Sequence, residues 1–160
     1  MKKTRTRKYF ALGVFLLSAY LAQALFHLKM PWLESLQQDQ TYKITTGLVL
    51  LAFVGFQWLL TIFRMKGYKF LAHHHYNYHK QLGCFAPLIF YIHSTQLGYA
   101  YLALLSSVYL ANTAVGLFNY ETLRISRKSF VHYWMVTHVA LSLLVVVLII
   151  YHIFIVFAYE

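Results

Sequence analysis

Nine histidines stand in this chain, and four of them fall within apolar segments at one repeated spacing. His79 precedes His93 by fourteen positions, and His138 precedes His152 by the same fourteen. On a continuous α-helix that interval is close to four turns, so each pair shares one face, about 21 Å apart along the axis. This is most of the roughly 30 Å thickness of a bilayer core. An imidazole inside a bilayer is costly without a partner and is a functional candidate by default. Neutral imidazole nitrogen is also an axial ligand for iron. Two such helices side by side would clamp two flat cofactors, one above the other. The predicted cofactors are two haem b groups, each with histidine on both axial faces.

The elements that must position these residues are membrane spans. The chain of 160 residues is 60% hydrophobic and only 11% charged, against about 25% charged in a soluble domain. We read residues 1–160 as a single all-α transmembrane domain. Five apolar segments are long enough to cross, at about 9–27, 44–63, 78–95, 98–119 and 131–159. Met1–Lys8 is basic, and Ala22-Gln23-Ala24 resembles a signal-peptidase site; the first segment is read as a retained anchor. Pro87 lies in the third segment and predicts a kink rather than a break. Only Gln96, Leu97 and Gly98 separate the third and fourth segments, which predicts an antiparallel hairpin.

Charge orients the bundle. With the N-terminus in the cytoplasm, the inner side collects Lys2, Lys3, Arg5, Arg7, Lys8, Arg64, Lys66, Lys69, Lys80, Arg124, Arg127 and Lys128. Only Lys29 and Lys43 fall outside. Twelve against two is a strong positive-inside bias, so the C-terminus is predicted outside. The acids Glu34, Asp39 and Glu160 also fall outside. The net charge of +10 does not predict nucleic-acid binding, because the basic residues edge apolar runs and form no stripe. The single cysteine, Cys84, belongs to no C-x-x-C-H run; covalent haem attachment is excluded, and Cys84 is read as a packing residue.

The topology assigns the ligand pairs. The third and fifth segments run the same way, so His79 faces His138 on the inner side and His93 faces His152 on the outer side. Gly83, one turn after His79, removes a side chain that would obstruct a macrocycle, and Ser142 holds the same offset from His138. Lys80, Arg124, Arg127 and Lys128 are candidates for the propionates of the inner haem, and Gln96, Tyr99 and Lys43 for those of the outer one. The run His73-His74-His75 is read as part of an inner loop from Arg64 to Asn77, able to bind a divalent metal or to replace His79. His27 and His132 are read as interfacial or capping residues, and Trp32 as an interfacial anchor.

The run His79-Lys80-Gln81-Leu82-Gly83, with His93 following, resembles the third helix of ferric reductase-like transmembrane domains, and His138 with His152 resembles their fifth-helix pair. The likeness spans about residues 44–158 and extends to the paired histidines of membrane cytochromes b. It implies a haem-binding core that carries electrons across the bilayer. Ferric reductases of this kind continue into a flavin- and nicotinamide-binding domain. This sequence contains no G-x-G-x-x-G run, so electrons are expected from a partner protein or a quinol. The expectation is an electron-transfer subunit of a larger bacterial inner-membrane complex, not a self-sufficient enzyme. Two other readings stand beside it. One is a cofactor-free structural subunit, with the histidines as packing groups. The other is a membrane non-haem di-iron oxygenase using the H-x3-H pair His75 and His79.

Overall fold

A computed structural model describes residues 2–28 and 30–159, with side chains from Lys8 onward. Lys29 and Glu160, and the side chains of Lys2, Lys3, Arg5 and Arg7, all counted in the charge bias, lie outside the described residues. Among the described residues the structure is all-helical, with no strand: α1 (Lys2–Leu25), α2 (Pro31–Gln38), α3 (Gln40–Met65), α4 (Lys69–Gly83), α5 (Ala86–His93), α6 (Tyr101–Leu117), α7 (Tyr120–Leu123) and α8 (Lys128–Tyr159). Three stretches are long and apolar enough to cross a membrane: Lys8–Leu25, Gln40–Met65 and Lys128–Tyr159. Helix α6 is apolar but shorter, at 17 residues. The chain divides into two compact units, Met1–Thr95 and Gln96–Glu160.

In the first unit α3 is the axis. Asp39 caps its N-terminus by accepting a hydrogen bond from Tyr42 N at 2.8 Å. Its C-terminus closes in a glycine turn. Gly67 takes φ +72, which an L side chain resists; Gly67 N donates to Arg64 O at 3.2 Å and Tyr68 N to Phe63 O at 2.9 Å. This reversal starts α4 at Lys69. The loop predicted for Arg64–Asn77 is therefore helical over most of its length, and His73, His74 and His75 lie on α4. Contacts of Phe56 and Phe63 with His75, and of Thr46 with His93, show α4 and α5 running antiparallel to α3. Helix α1 lies alongside, with Tyr20 edge-on to Phe90 and Tyr91.

The predicted third segment is two helices. Pro87 has no N–H to give Gly83 O, and its ring crowds that carbonyl. Cys84 and Phe85 keep right-handed helical angles, but Phe85 N bonds Leu82 O, three residues back, at 2.9 Å. The chain bends there without leaving helical space, the kink expected of a proline. Cys84 and Pro87 are fully buried at the bend.

Helix α5 ends at His93 because side chains take its last carbonyls. Gln37 Nε2 donates to Tyr91 O at 2.9 Å and to Ile92 O at 3.1 Å, and Tyr42 Oη donates to Ile92 O at 3.0 Å. Gln37 Oε1 accepts from Thr95 N at 3.2 Å and from Thr95 Oγ1 at 2.8 Å. One side chain thus satisfies both sides of the helix end.

In the second unit α6 and α8 are antiparallel. Val115 and Gly116 late in α6 meet Trp134 and His138 early in α8, and Tyr101 at the start of α6 meets Tyr151 and His152 late in α8. Asn119 joins the elements: its Nδ2 donates to Gly116 O and Leu117 O, while its Oδ1 accepts from Thr122 N at 3.0 Å, capping α7.

Gln37→Ala would leave the Thr95 N–H and hydroxyl without an acceptor at a site only 3% exposed. Thermal unfolding in detergent, followed by circular dichroism, should show a loss of about 1–3 kcal/mol. Gln38→Ala, at an exposed neighbour, should change nothing.

Candidate functional site

All four predicted ligand histidines lean on the antiparallel helix of their own unit. His79 and His93 lie against α3, and His138 and His152 lie against α6. Two of these seats are glycines. A Cβ built on Gly47 would sit 3.3 Å from His93 Cε1, and one on Gly116 would sit 3.1 Å from His138 Cε1. Each imidazole therefore approaches a backbone more closely than any other residue type would comfortably allow.

A hydroxyl ties His93 to α3. Thr46 Oγ1 lies 2.8 Å from Tyr42 O, the usual partner one turn back, and 3.1 Å from His93 Nδ1. When that hydroxyl gives its proton to Tyr42 O, it accepts from Nδ1, the tautomer that ligates through Nε2.

His79 has a more varied neighbour. The backbone carbonyl of Gln57 lies 3.2 Å from Nδ1. With its amide turned to satisfy both ends, the Gln57 side chain also places its nitrogen 2.7 Å from Nδ1 and its oxygen 3.2 Å from Gly83 N. A carbonyl asks Nδ1 for a proton and an amide N–H offers one, so the tautomer of His79 follows the Gln57 amide. Gly83, predicted to make room beside His79, meets only the Gln57 side chain, at 4.0 Å from an added Cβ.

The His138 ring stacks on Trp134 one turn earlier, at 5.7 Å and 10°. Trp134 is itself fixed, because Nε1 donates to Val115 O at 2.7 Å, one of the carbonyls the end of α6 leaves over. His152 meets the Tyr101 ring at 6.2 Å.

The fourteen-residue spacing behaves differently in the two units. His138 and His152 share the unbroken α8, so their separation stays near 21 Å. His79 and His93 lie on either side of the bend, with His93 as the last residue of α5 rather than deep in a span. Measured along α3, their partners Gln57 and Thr46 are eleven residues apart, about 16 Å. The matching depths inferred from sequence assumed one straight helix, and Pro87 removes that condition.

The remaining predicted residues are placed as follows. Lys80 Nζ lies 5.1 Å from the Tyr76 ring centroid. Arg124 ends α7 in a left-handed turn, and Arg127 directly precedes α8; both are exposed. The histidine triplet is split. His75 is buried, and its Nε2 donates to Phe56 O at 3.0 Å. His74 meets Tyr78 edge-on beside an apolar cleft shared with Phe56 and Phe63. Among the described residues, no three histidine, cysteine or acidic side chains gather as a metal site, and His75 is committed to packing. The sequence reading missed Thr46, Gly47, Gln57, Asn112 and Gly116. None belongs to a motif, and only packing identifies them.

No family model, curated relative or solved structure matches this chain.

Gly116→Val should force His138 aside and destabilise the second unit by about 1–3 kcal/mol in thermal unfolding. Gly55→Ala, where an added Cβ meets nothing within 4 Å, should be neutral or stabilise by up to ~1 kcal/mol.

Proposed function

We propose that this chain is a membrane cytochrome b subunit that holds two haem b groups and carries single electrons across a bacterial inner membrane. In this reading five segments cross the bilayer, with the N-terminus cytoplasmic and the C-terminus outside. The third crossing is made by α4 and α5 together. His79 pairs with His138 and His93 with His152, as the charge bias requires of two segments running the same way. The electron donor is a quinol or a flavoprotein, and the acceptor lies on the opposite side.

The observation that carries this reading is the hydrogen-bonded, glycine-seated support beneath the histidines. An axial ligand needs its second ring nitrogen held by an acceptor, which fixes orientation and raises basicity. Thr46 Oγ1, 3.1 Å from His93 Nδ1, is placed to do this for His93, and Gly116 seats the His138 ring. Two buried polar atoms nearby, Trp58 Nε1 on α3 and Asn112 Oδ1 on α6, have no hydrogen-bond partner, a cost that a bound group or water would relieve. Haem, when bound, supplies a one-electron iron couple in a low-dielectric interior. The protein's own part is to hold four imidazoles, exclude water with its apolar helices, and offer cations to propionates. Arg124 and Arg127, near the His138 end of α8, suit that last role.

A second reading is favoured by the same contacts. Histidines that find polar partners within their own unit also suit a cofactor-free structural subunit.

A pyridine haemochrome assay on the purified chain separates the two. Two protohaems per chain are expected, with His93→Ala and His152→Ala each losing about half of the absorbance. Thr46→Val should fold and weaken haem binding about 10–100-fold. A chain without porphyrin, unchanged in absorbance by these substitutions, would establish the structural reading instead.

A further inference from the structure

The Gln57 side chain on α3 engages the last turn of α4. Its amide nitrogen lies 2.7 Å from His79 Nδ1 and 3.3 Å from His79 O, and its amide oxygen lies 3.2 Å from Gly83 N. His79 and Gly83 are one helical turn apart, and Gly83 is the last residue of α4. A backbone carbonyl only accepts and a backbone N–H only donates. These two groups together allow the amide one orientation, with oxygen on Gly83 and nitrogen on His79. The opposite orientation would set N–H against N–H and oxygen against oxygen. The amide therefore presents an N–H to Nδ1. The carbonyl of Gln57 also faces Nδ1, but at the longer distance of 3.2 Å. A proton on Nδ1 would meet the amide N–H head-on at 2.7 Å. With the lone pair on Nδ1, the proton of the neutral imidazole stands on Nε2.

We propose that Gln57 is a positioning residue that holds the ring proton of His79 on Nε2, so that this histidine is a hydrogen-bond donor until the amide turns away. Ligation through Nε2 needs that nitrogen bare and the proton on Nδ1. The proton must leave Nε2, one must arrive on Nδ1, and the amide must swing off that nitrogen. The carbonyl of Gln57 is then the acceptor in place for Nδ1. Swinging away also ends the amide's bonds to the last turn of α4, directly before the bend at Cys84 and Phe85. Thr46 poses no such obstacle at His93, because a hydroxyl accepts as readily as it donates. On the haem reading, on which this consequence rests, the inner site binds more weakly than the outer and fills after it.

The test is nitrogen-15 NMR of the haem-free full chain in detergent, with labelled histidine. Loss of signals in His79→Gln assigns the His79 ring, and long-range nitrogen–proton correlations show which nitrogen is protonated. The wild type should carry the His79 proton on Nε2. Gln57→Met removes the amide and leaves the backbone carbonyl, so the proton should move to Nδ1. Gln57→Leu should do the same, and serves if the methionine variant fails to fold. In a His93→Ala chain, where only the inner haem is expected, Gln57→Met should tighten haem binding about tenfold. A wild-type proton on Nδ1, or an unmoved proton in both variants, overturns the proposal. Unchanged inner affinity with the proton moved overturns its consequence for ligation. A chain that takes up no haem, with the proton placed and moved as expected, ends the cytochrome reading and upholds the role of Gln57.

Discussion

A polar group inside an apolar helix must find a partner on the protein, because hydrocarbon offers none. The C-terminal ends of α5 and α6, and His75, His79 and His93, answer to that constraint. The last carbonyls of α5 go to Gln37 and Tyr42, and those of α6 go to Trp134 and Asn119. Thr46 Oγ1 bonds Tyr42 O of its own helix and meets His93 Nδ1. These bonds decide where helices stop, and so where the imidazoles sit. His93 occupies its place because Gln37 ends the helix one residue later, and His138 is held by a tryptophan that is itself a helix cap.

Close approach is the second device. Gly47 and Gly116 stand on different helices in different units, yet each lets an imidazole rest almost on the backbone. A side chain at either position would tilt the ring and change the direction of its nitrogens. Rigid seating of this kind suits a ligand whose angle matters, and it equally suits a histidine used to lock two helices together. The chemistry of the bound state, not the packing, distinguishes them.

The charge distribution gives the molecule its polarity. A stretch of 81 residues without a single acid places Arg64, Lys66 and Lys69 around the turn after α3, while Asp39 caps the other end, one turn before Lys43. That asymmetry is part of the basis of the proposed orientation.

The helical class, the apolar stretches and the histidine candidates were legible in the residues, because hydropathy and spacing are local properties. Pro87 announced a bend, and Asn119 stood at the end of an apolar run. Other features depended on contacts between distant residues. The turn at Gly67 converted an expected loop into the start of α4, because a left-handed residue there reverses the chain. The bend at Cys84–Phe85 shortened the effective interval between His79 and His93, since a fourteen-residue count measures distance only along an unbroken helix. Gln37 as the cap of α5, Thr46 as the partner of His93 and Gly116 as the seat of His138 lie 22 to 58 positions from the groups they serve. Sequence alone determined which residues were able to carry the chemistry. Only the tertiary structure decided which helix each imidazole rests against, because those contacts join residues far apart in the chain.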